Sequence, residues 1–217
     1  MPGSPTWTIL IATLAQRAAR FERLLQQVLP QTEPHDGAVT VTAYYNHGGG
    51  GLGAIRQALI DDATSTYVSF VDDDDELPDY HVAEVMSRLD GVVDYVGWQM
   101  QCYVNDQPLK PTYHSLRYPR WYDDRRGYYR DVSHLNPIKL ELARRADFRR
   151  GGPPEDVSWV DQVRPHVRTE AYVDKVMYHY RSSPGDSTWR GDGIQEVWHL
   201  RPQVDHPNFR YHPGSDA

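Results

Sequence analysis

Apolar residues along this chain recur with two alternating periods. Thr6 to Ala12 alternates weakly and predicts a first strand. Phe21, Leu24, Leu25, Val28 and Leu29 then fall at i, i+3, i+4, i+7 and i+8, the stripe of an amphipathic helix that should end at Pro30. Val39 to Ala43 predicts a second strand, and a glycine-rich loop, Gly48 to Gly53, leads into a short helix carrying Ile55, Ala58 and Leu59. A third strand, Tyr67 to Val71, precedes a helix with Val82, Val85, Met86 and Leu89 and a strand from Val92 to Met100. Strands exchanging with helices in this way imply βαβ units: an α/β domain with a Rossmann-like, mostly parallel sheet flanked by helices. Such sheets bind ligands at the carboxyl ends of their strands.

From Asn105 to Asp131 the periodicity is lost among Pro, Tyr, Trp and Arg, which predicts a long functional loop or a small hairpin excursion. Regular patterning resumes as a helix near Ile138 to Arg145, a helix after Pro154 and a strand around Ala171 to Tyr180. One domain over residues 1–187 follows, with a first half near 6–104, a second half near 105–187, and a tail or arm over 188–217.

The 217 residues suit one full-sized domain, and 39% hydrophobic content is ordinary for a folded one. No apolar run approaches a membrane span, the first residues lack the basic and apolar regions of a secretory signal, and Cys102 stands alone; a cytoplasmic setting is the expectation. The net charge of -7 argues against nonspecific coating of nucleic acid. It is unevenly spread, however: His114 to Arg150 holds ten basic and five acidic residues, a local surplus that fits an anionic partner.

The densest chemistry lies directly after the third strand, in Asp72, Asp73, Asp74 and Asp75. Four carboxylates at a strand's end repel one another, and a hard cation, Mn2+ or Mg2+, is the natural way to neutralise them. The competing reading is a solvated acidic loop that caps the next helix through Asp79. An EF-hand is excluded, since the sixth position from Asp72 is Leu77 and the twelfth is Ala83. The glycine loop has neither the closing G-K-[ST] of a phosphate loop nor a companion G-x-S-x-G, so its possible roles are flexibility or close approach of backbone to a ligand. Glu155 and Asp156 open a helix, where an acidic pair is favourable in itself. His179 sits in an aromatic strand, where histidine is commonly structural.

Taken together, Thr13, Arg17 and Gln31, the G-x-x-R-Q-A-L segment with Gly53 and Arg56, the run Y-V-S-F-V-D-D-D-D-E-L-P-D, the P-E-D at 154–156 and the Y-H-Y-R-S-S-P-G-D-S at 178–187 resemble the family 2 glycosyltransferases of GT-A fold. The resemblance covers about Thr6 to Ser187, and its most specific parts are the aspartate block and the downstream Glu-Asp. It implies a donor site for a nucleoside diphosphate sugar, a UDP-hexose, in which Asp72 and Asp74 form the D-x-D element. Thr13, Arg17, Asn46, Arg56, Asp72 and Asp73 are then the candidate donor contacts, and Asp74, Asp75 and His179 the candidate metal ligands. Asp156 is the implied catalytic base of an inverting transfer to a hydroxyl of a glycan, a protein or a modified DNA base. The family's uracil-reading aspartate after the second strand is missing, and Tyr44, Tyr45 and Asn46 stand there instead. The absence of spanning segments is similar to the compact enzymes of bacteria and phages. Two other classes fit parts of the pattern: a non-catalytic sugar-nucleotide or glycan-binding module, and a metal-dependent nuclease using the acidic cluster.

Overall fold

The computed structural model describes residues 4–46, 51–150, 154–182 and 204–212. In chain order these form β1 (Trp7–Leu14), α1 (Ala18–Thr32), β2 (Val39–Asn46), α2 (Leu52–Asp62), β3 (Tyr67–Phe70), α3 (His81–Met86) and β4 (Tyr95–Val104). There follow β5 (Gln107–Pro108), β6 (Thr112–His114), β7 (Tyr122–Asp123), β8 (Tyr128–Arg130), β9 (Ile138–Lys139), α4 (Leu140–Ala143), α5 (Glu155–Val163), β10 (Glu170–Ser182) and β11 (Phe209–Tyr211). One mixed sheet carries them in the order β11-β2-β1-β3-β9-β4-β6-β8-β7, with β5 and β10 also paired to β4.

Every residue of β1 is buried, as a central parallel strand covered on both faces should be. β1 pairs in parallel with β2 on one side and β3 on the other, so the chain reverses its direction of winding beside β1. That reversal opens a crevice at the carboxyl ends of the strands, the usual ligand position in an open α/β sheet. One apolar core joins α1 and α3 to the sheet through Phe21, Leu24, Val28, Val82 and Val85. A second lies on the opposite face, where Ile55, Leu59, Phe148, Trp159 and Val163 pack against Leu10, Val68 and Phe70.

Several predicted boundaries move, each for a local reason. α1 runs through Pro30 to Thr32, because a proline this near a helix end forfeits one backbone hydrogen bond while Thr32, fully buried, donates its hydroxyl to the Leu29 carbonyl. β4 starts at Tyr95 rather than Val92, since Asp90 accepts the N–H groups of Val92 and Val93 and holds them in a turn. The aperiodic stretch after Val104 is sheet: Asn105 and Asp106 take positive φ in a tight hairpin turn, and β5 to β8 extend the sheet beyond β4. The sheet is therefore parallel on its β2-β1-β3 side and mixed beyond β9. Part of the segment expected as a tail or arm, β11, pairs in parallel beside β2. Among the described residues no helix is long and apolar enough to cross a membrane.

The core also contains a titratable group whose cost is measurable. His81 is fully buried, between the rings of Trp7 and Trp98, with Nδ1 2.7 Å from the Met177 carbonyl. Burial drives its pKa down to about 4. Between the unfolded value near 6.5 and that folded value, the unfolded chain binds the proton and the native chain does not, so His81 destabilises the fold as pH falls. In His81→Leu, the stability difference from wild type should shift in the variant's favour by about 3 kcal/mol between pH 7 and pH 4. Urea unfolding of both proteins across that range measures it; a pH-independent difference would show that His81 does not stay neutral.

Candidate active site

The four aspartates follow β3 in a turn, and their burial alternates along it. Asp73 and Asp75 are each 1% exposed, whereas the side chains of Asp72 and Asp74 are 30% and 21% exposed. The four lie in a tight turn in which the Asp75 N–H donates to the Asp72 carbonyl at 3.2 Å, and Asp72 and Asp74 are its more exposed carboxylates. Asp73 accepts from the Thr13 hydroxyl at 2.6 Å and from Arg17, and burial outweighs both partners to push its pKa up to about 6. Asp75 accepts from the Tyr178 hydroxyl at 2.7 Å and from the Arg181 N–H at 2.7 Å; burial and then the charge of Asp72 hold its pKa well above the usual carboxylate range. The Tyr178 hydroxyl also accepts the Asp72 N–H at 3.0 Å, so β10 clamps the acidic turn at both ends.

The outward pair is held by arginines. Arg56 of α2, 4% exposed, donates to Asp72 Oδ1 at 2.8 Å and to Glu155 Oε1 at 2.7 Å, with its guanidinium near the rings of Phe70 and Phe148. Gly53 lets α2 come this close: a Cβ there would stand 2.6 Å from the Phe148 carbonyl oxygen. Arg17 Nη2 lies 3.1 Å and Arg20 Nη1 3.6 Å from Asp74. Mutual repulsion of the aspartates is therefore relieved by cations and hydrogen bonds of the protein itself, a correction to the expectation that a metal is needed to hold the cluster together. On the far side of the turn, Gln27 and Gln31 of α1 accept the N–H groups of Leu77 and Val82, fixing the chain just beyond Glu76.

Asp72, Arg56, Glu155 and Asp156 line a cleft of about 570 Å³, together with His134 and residues of β4, β6, β8 and β10. Asp156 comes from the first turn of α5, and its carboxylate accepts the Val157 N–H at 2.9 Å. His134 is buried, and burial, reinforced by the charge of Arg56, holds its pKa well below the usual imidazole range, so it is neutral at physiological pH.

Residues 19–152 match the Glycosyl transferase family 2. The chain belongs to that family. Its fold is similar to that of S. aureus TarS 1-349, at 14% identity and a TM-score of 0.59 over 81% of this chain and 60% of that one. The same TarS fragment in complex with UDP-GlcNAc matches at 14% identity and 0.55 over 92% and 62%, and in complex with UDP at 14% and 0.55 over 82% and 61%. The chain thus spans about three fifths of these neighbours' length. No curated protein matches.

Within this family 2 domain the sequence-predicted residues divide into two sets. Asp72, Arg56 and Asp156 share the cleft wall. Asp73, named as a donor contact, and Asp75, named as a metal ligand, have both carboxylate oxygens occupied inside the protein, and Thr13 is fully buried beneath Asp73. These three and Arg17 shape the acidic turn. Asn46 closes β2 opposite Leu14, and His47 to Gly50 of the glycine loop lie outside the described residues. His179 exchanges both backbone hydrogen bonds with Glu76 and places Nδ1 3.4 Å from the Tyr103 hydroxyl. Among the described residues no three His, Cys, Asp or Glu side chains are gathered as a ready-made metal cage, so Asp74, Asp75 and His179 do not converge as one. Glu155 and Tyr178 were not singled out from the sequence; the one read as half of a helix-opening acidic pair and the other as an aromatic strand residue. For His134 there was no signal at all.

Proposed function

We propose that this family 2 domain is an inverting, metal-dependent glycosyltransferase that moves a sugar from a nucleoside diphosphate sugar, a UDP-hexose, to an acceptor hydroxyl. The observation that carries this reading is the placing of Asp72, Arg56 and Asp156 on one cleft at the carboxyl ends of the parallel strands. The solved neighbours bound to UDP-GlcNAc and UDP support the choice of donor class. Asp72 faces the nucleotide and its position is set by Arg56. Asp156 takes the proton from the acceptor hydroxyl as that oxygen attacks the anomeric carbon from the side opposite the leaving diphosphate, and one displacement inverts the configuration. The acceptor hydroxyl belongs to a glycan, a protein or a modified DNA base.

The donor set fits a hard cation even without a preformed cage. Magnesium is commonly held by one or two carboxylates with substrate phosphates and water completing the shell, and the side chains of Asp74 and Asp72 are the partly exposed members of the cluster. When bound, Mn2+ or Mg2+ at these residues would neutralise charge on the departing diphosphate. Calorimetric titration with UDP-glucose, UDP-galactose, GDP-mannose and UDP tests both parts of the reading. We expect a UDP compound to bind with manganese, and to lose at least tenfold in affinity with chelator or in Asp74→Ala. Binding indifferent to chelator overturns the metal requirement, and absence of binding to every donor overturns the donor assignment.

A further inference from the structure

The cleft's charged residues are unequally divided between its walls. Asp72, Glu155 and Asp156 stand with Arg56 on the wall made by the end of β3, α2 and α5. On the wall made by β4, β6 and β8 with Leu109 and Trp121, the cleft-lining residues include Arg130 and no carboxylate. Arg130 is the last residue of β8, and its guanidinium lies 5.0 Å from the ring of Trp121 and 5.5 Å from that of Tyr128, both of which line the cleft. Among the described residues only Nη1 is engaged, donating to the carbonyls of Tyr122 and Tyr129 at 3.1 and 3.0 Å.

Nε and Nη2 of Arg130 have no partner among the described residues, and the nearby acids are engaged elsewhere. Asp131 pairs with Arg164, Asp123 with Lys110, and Asp124 accepts the N–H groups of Arg126 and Gly127. The charge reaches into the cleft: burial lowers the pKa of His114, which lines it, and Arg130 adds to that lowering. The two rings and the Nη1 bonds hold the guanidinium in place, which leaves Nε and Nη2 as a fork for a carboxylate or phosphate. Beside it, Trp121 is 45% exposed and offers a flat apolar face of the kind that meets a sugar ring.

We propose that Arg130 receives an anionic group, phosphate or carboxylate, carried by a saccharide acceptor whose ring rests on Trp121 and Tyr128. The proposal rests on the cleft being the transfer site and adds the class of acceptor: an anionic sugar. The other reading of Arg130 is purely structural, a tie between β7 and β8 through Nη1.

NMR separates the two, using the indole N–H of Trp121, assigned by Trp121→Phe, as reporter in the full chain with and without UDP. The probes are glucose 6-phosphate, methyl glucuronide, neutral methyl glucoside and inorganic phosphate. Expected is at least fivefold tighter binding of the two charged sugars than of methyl glucoside, lost in Arg130→Gln and partly kept in Arg130→Lys. Equal binding of charged and neutral sugars, or a preference that survives Arg130→Gln, overturns the proposal. Inorganic phosphate binding as tightly as glucose 6-phosphate also overturns it, since that is an anion site without a sugar. UDP affinity should be unchanged in Arg130→Gln, and a tenfold loss assigns Arg130 to the donor diphosphate instead. Failure of wild type to bind any nucleotide sugar sinks the transferase reading, whereas a missing preference among sugars with UDP still bound sinks only the acceptor class.

Discussion

Asp156→Asn is expected to lower turnover by about 10² to 10⁴-fold, the usual range for loss of a positioned general base, while donor affinity stays within about twofold. The amide oxygen of asparagine can still accept the Val157 N–H that Asp156 accepts at 2.9 Å, so the first turn of α5 keeps its local bond. The helix loses one favourable charge at its N-terminus, about 0.3–1 kcal/mol, too little to unfold the domain. Asp156 also makes no salt bridge to Arg56, which is committed to Asp72 and Glu155, so the donor wall is not rearranged. What asparagine cannot do is take a proton from the acceptor hydroxyl. Sugar transfer and UDP titration on the same preparation give the two readouts. Turnover within a few-fold of wild type would remove Asp156 from the base role and direct attention to its neighbour Glu155.

Arg56→Met should be the most destabilising single change at the site, costing about 3–5 kcal/mol, the range for breaking a buried ion pair from one side. Asp72 and Glu155 would then face one another without a cation, in a region where the arginine is buried and the two acids are 30% and 23% exposed. Their partial access to water in the cleft places the cost toward the lower end of the range. For a domain of this size the fall in Tm is on the order of 10 °C. Nucleotide-sugar affinity falls as well, because the carboxylate of Asp72 loses the partner that aims it. Arg56→Lys keeps the charge but not the fork that reaches both acids, so its loss should be intermediate. The double variant Arg56→Met with Glu155→Gln removes one of the two repelling charges and should recover part of the stability, a non-additivity measurable by urea unfolding. A loss below about 1 kcal/mol in Arg56→Met would show that solvent already screens the pair.

Much of the architecture was legible because local patterning carries it. The apolar stripe of α1 and the buried run of β3 need no partner to be recognised, and the exchange of periods between them foretold the parallel units. The aspartate block and the Glu-Asp pair gave the family resemblance that the match over residues 19–152 bears out. The β5 to β8 extension was read as a long loop or a small hairpin excursion because its strands are two or three residues long, too short for a period to show, and are held by neighbours rather than by their own propensity.

The sequence by itself determined that four carboxylates would emerge together at the end of a buried strand, since an apolar, β-favouring run leads straight into them. Which of them would be buried was decided only by the tertiary structure, through Thr13 and Arg17 at the end of β1 and Tyr178 and Arg181 from β10, the latter two more than a hundred residues from the turn they hold. The same is true of charge. Composition shows only that acids are crowded, whereas their cost depends on distances of a few ångströms to Arg56, Arg17 and Arg20, and Coulomb energies at that range are set by the packing of α1 and α2 against the sheet.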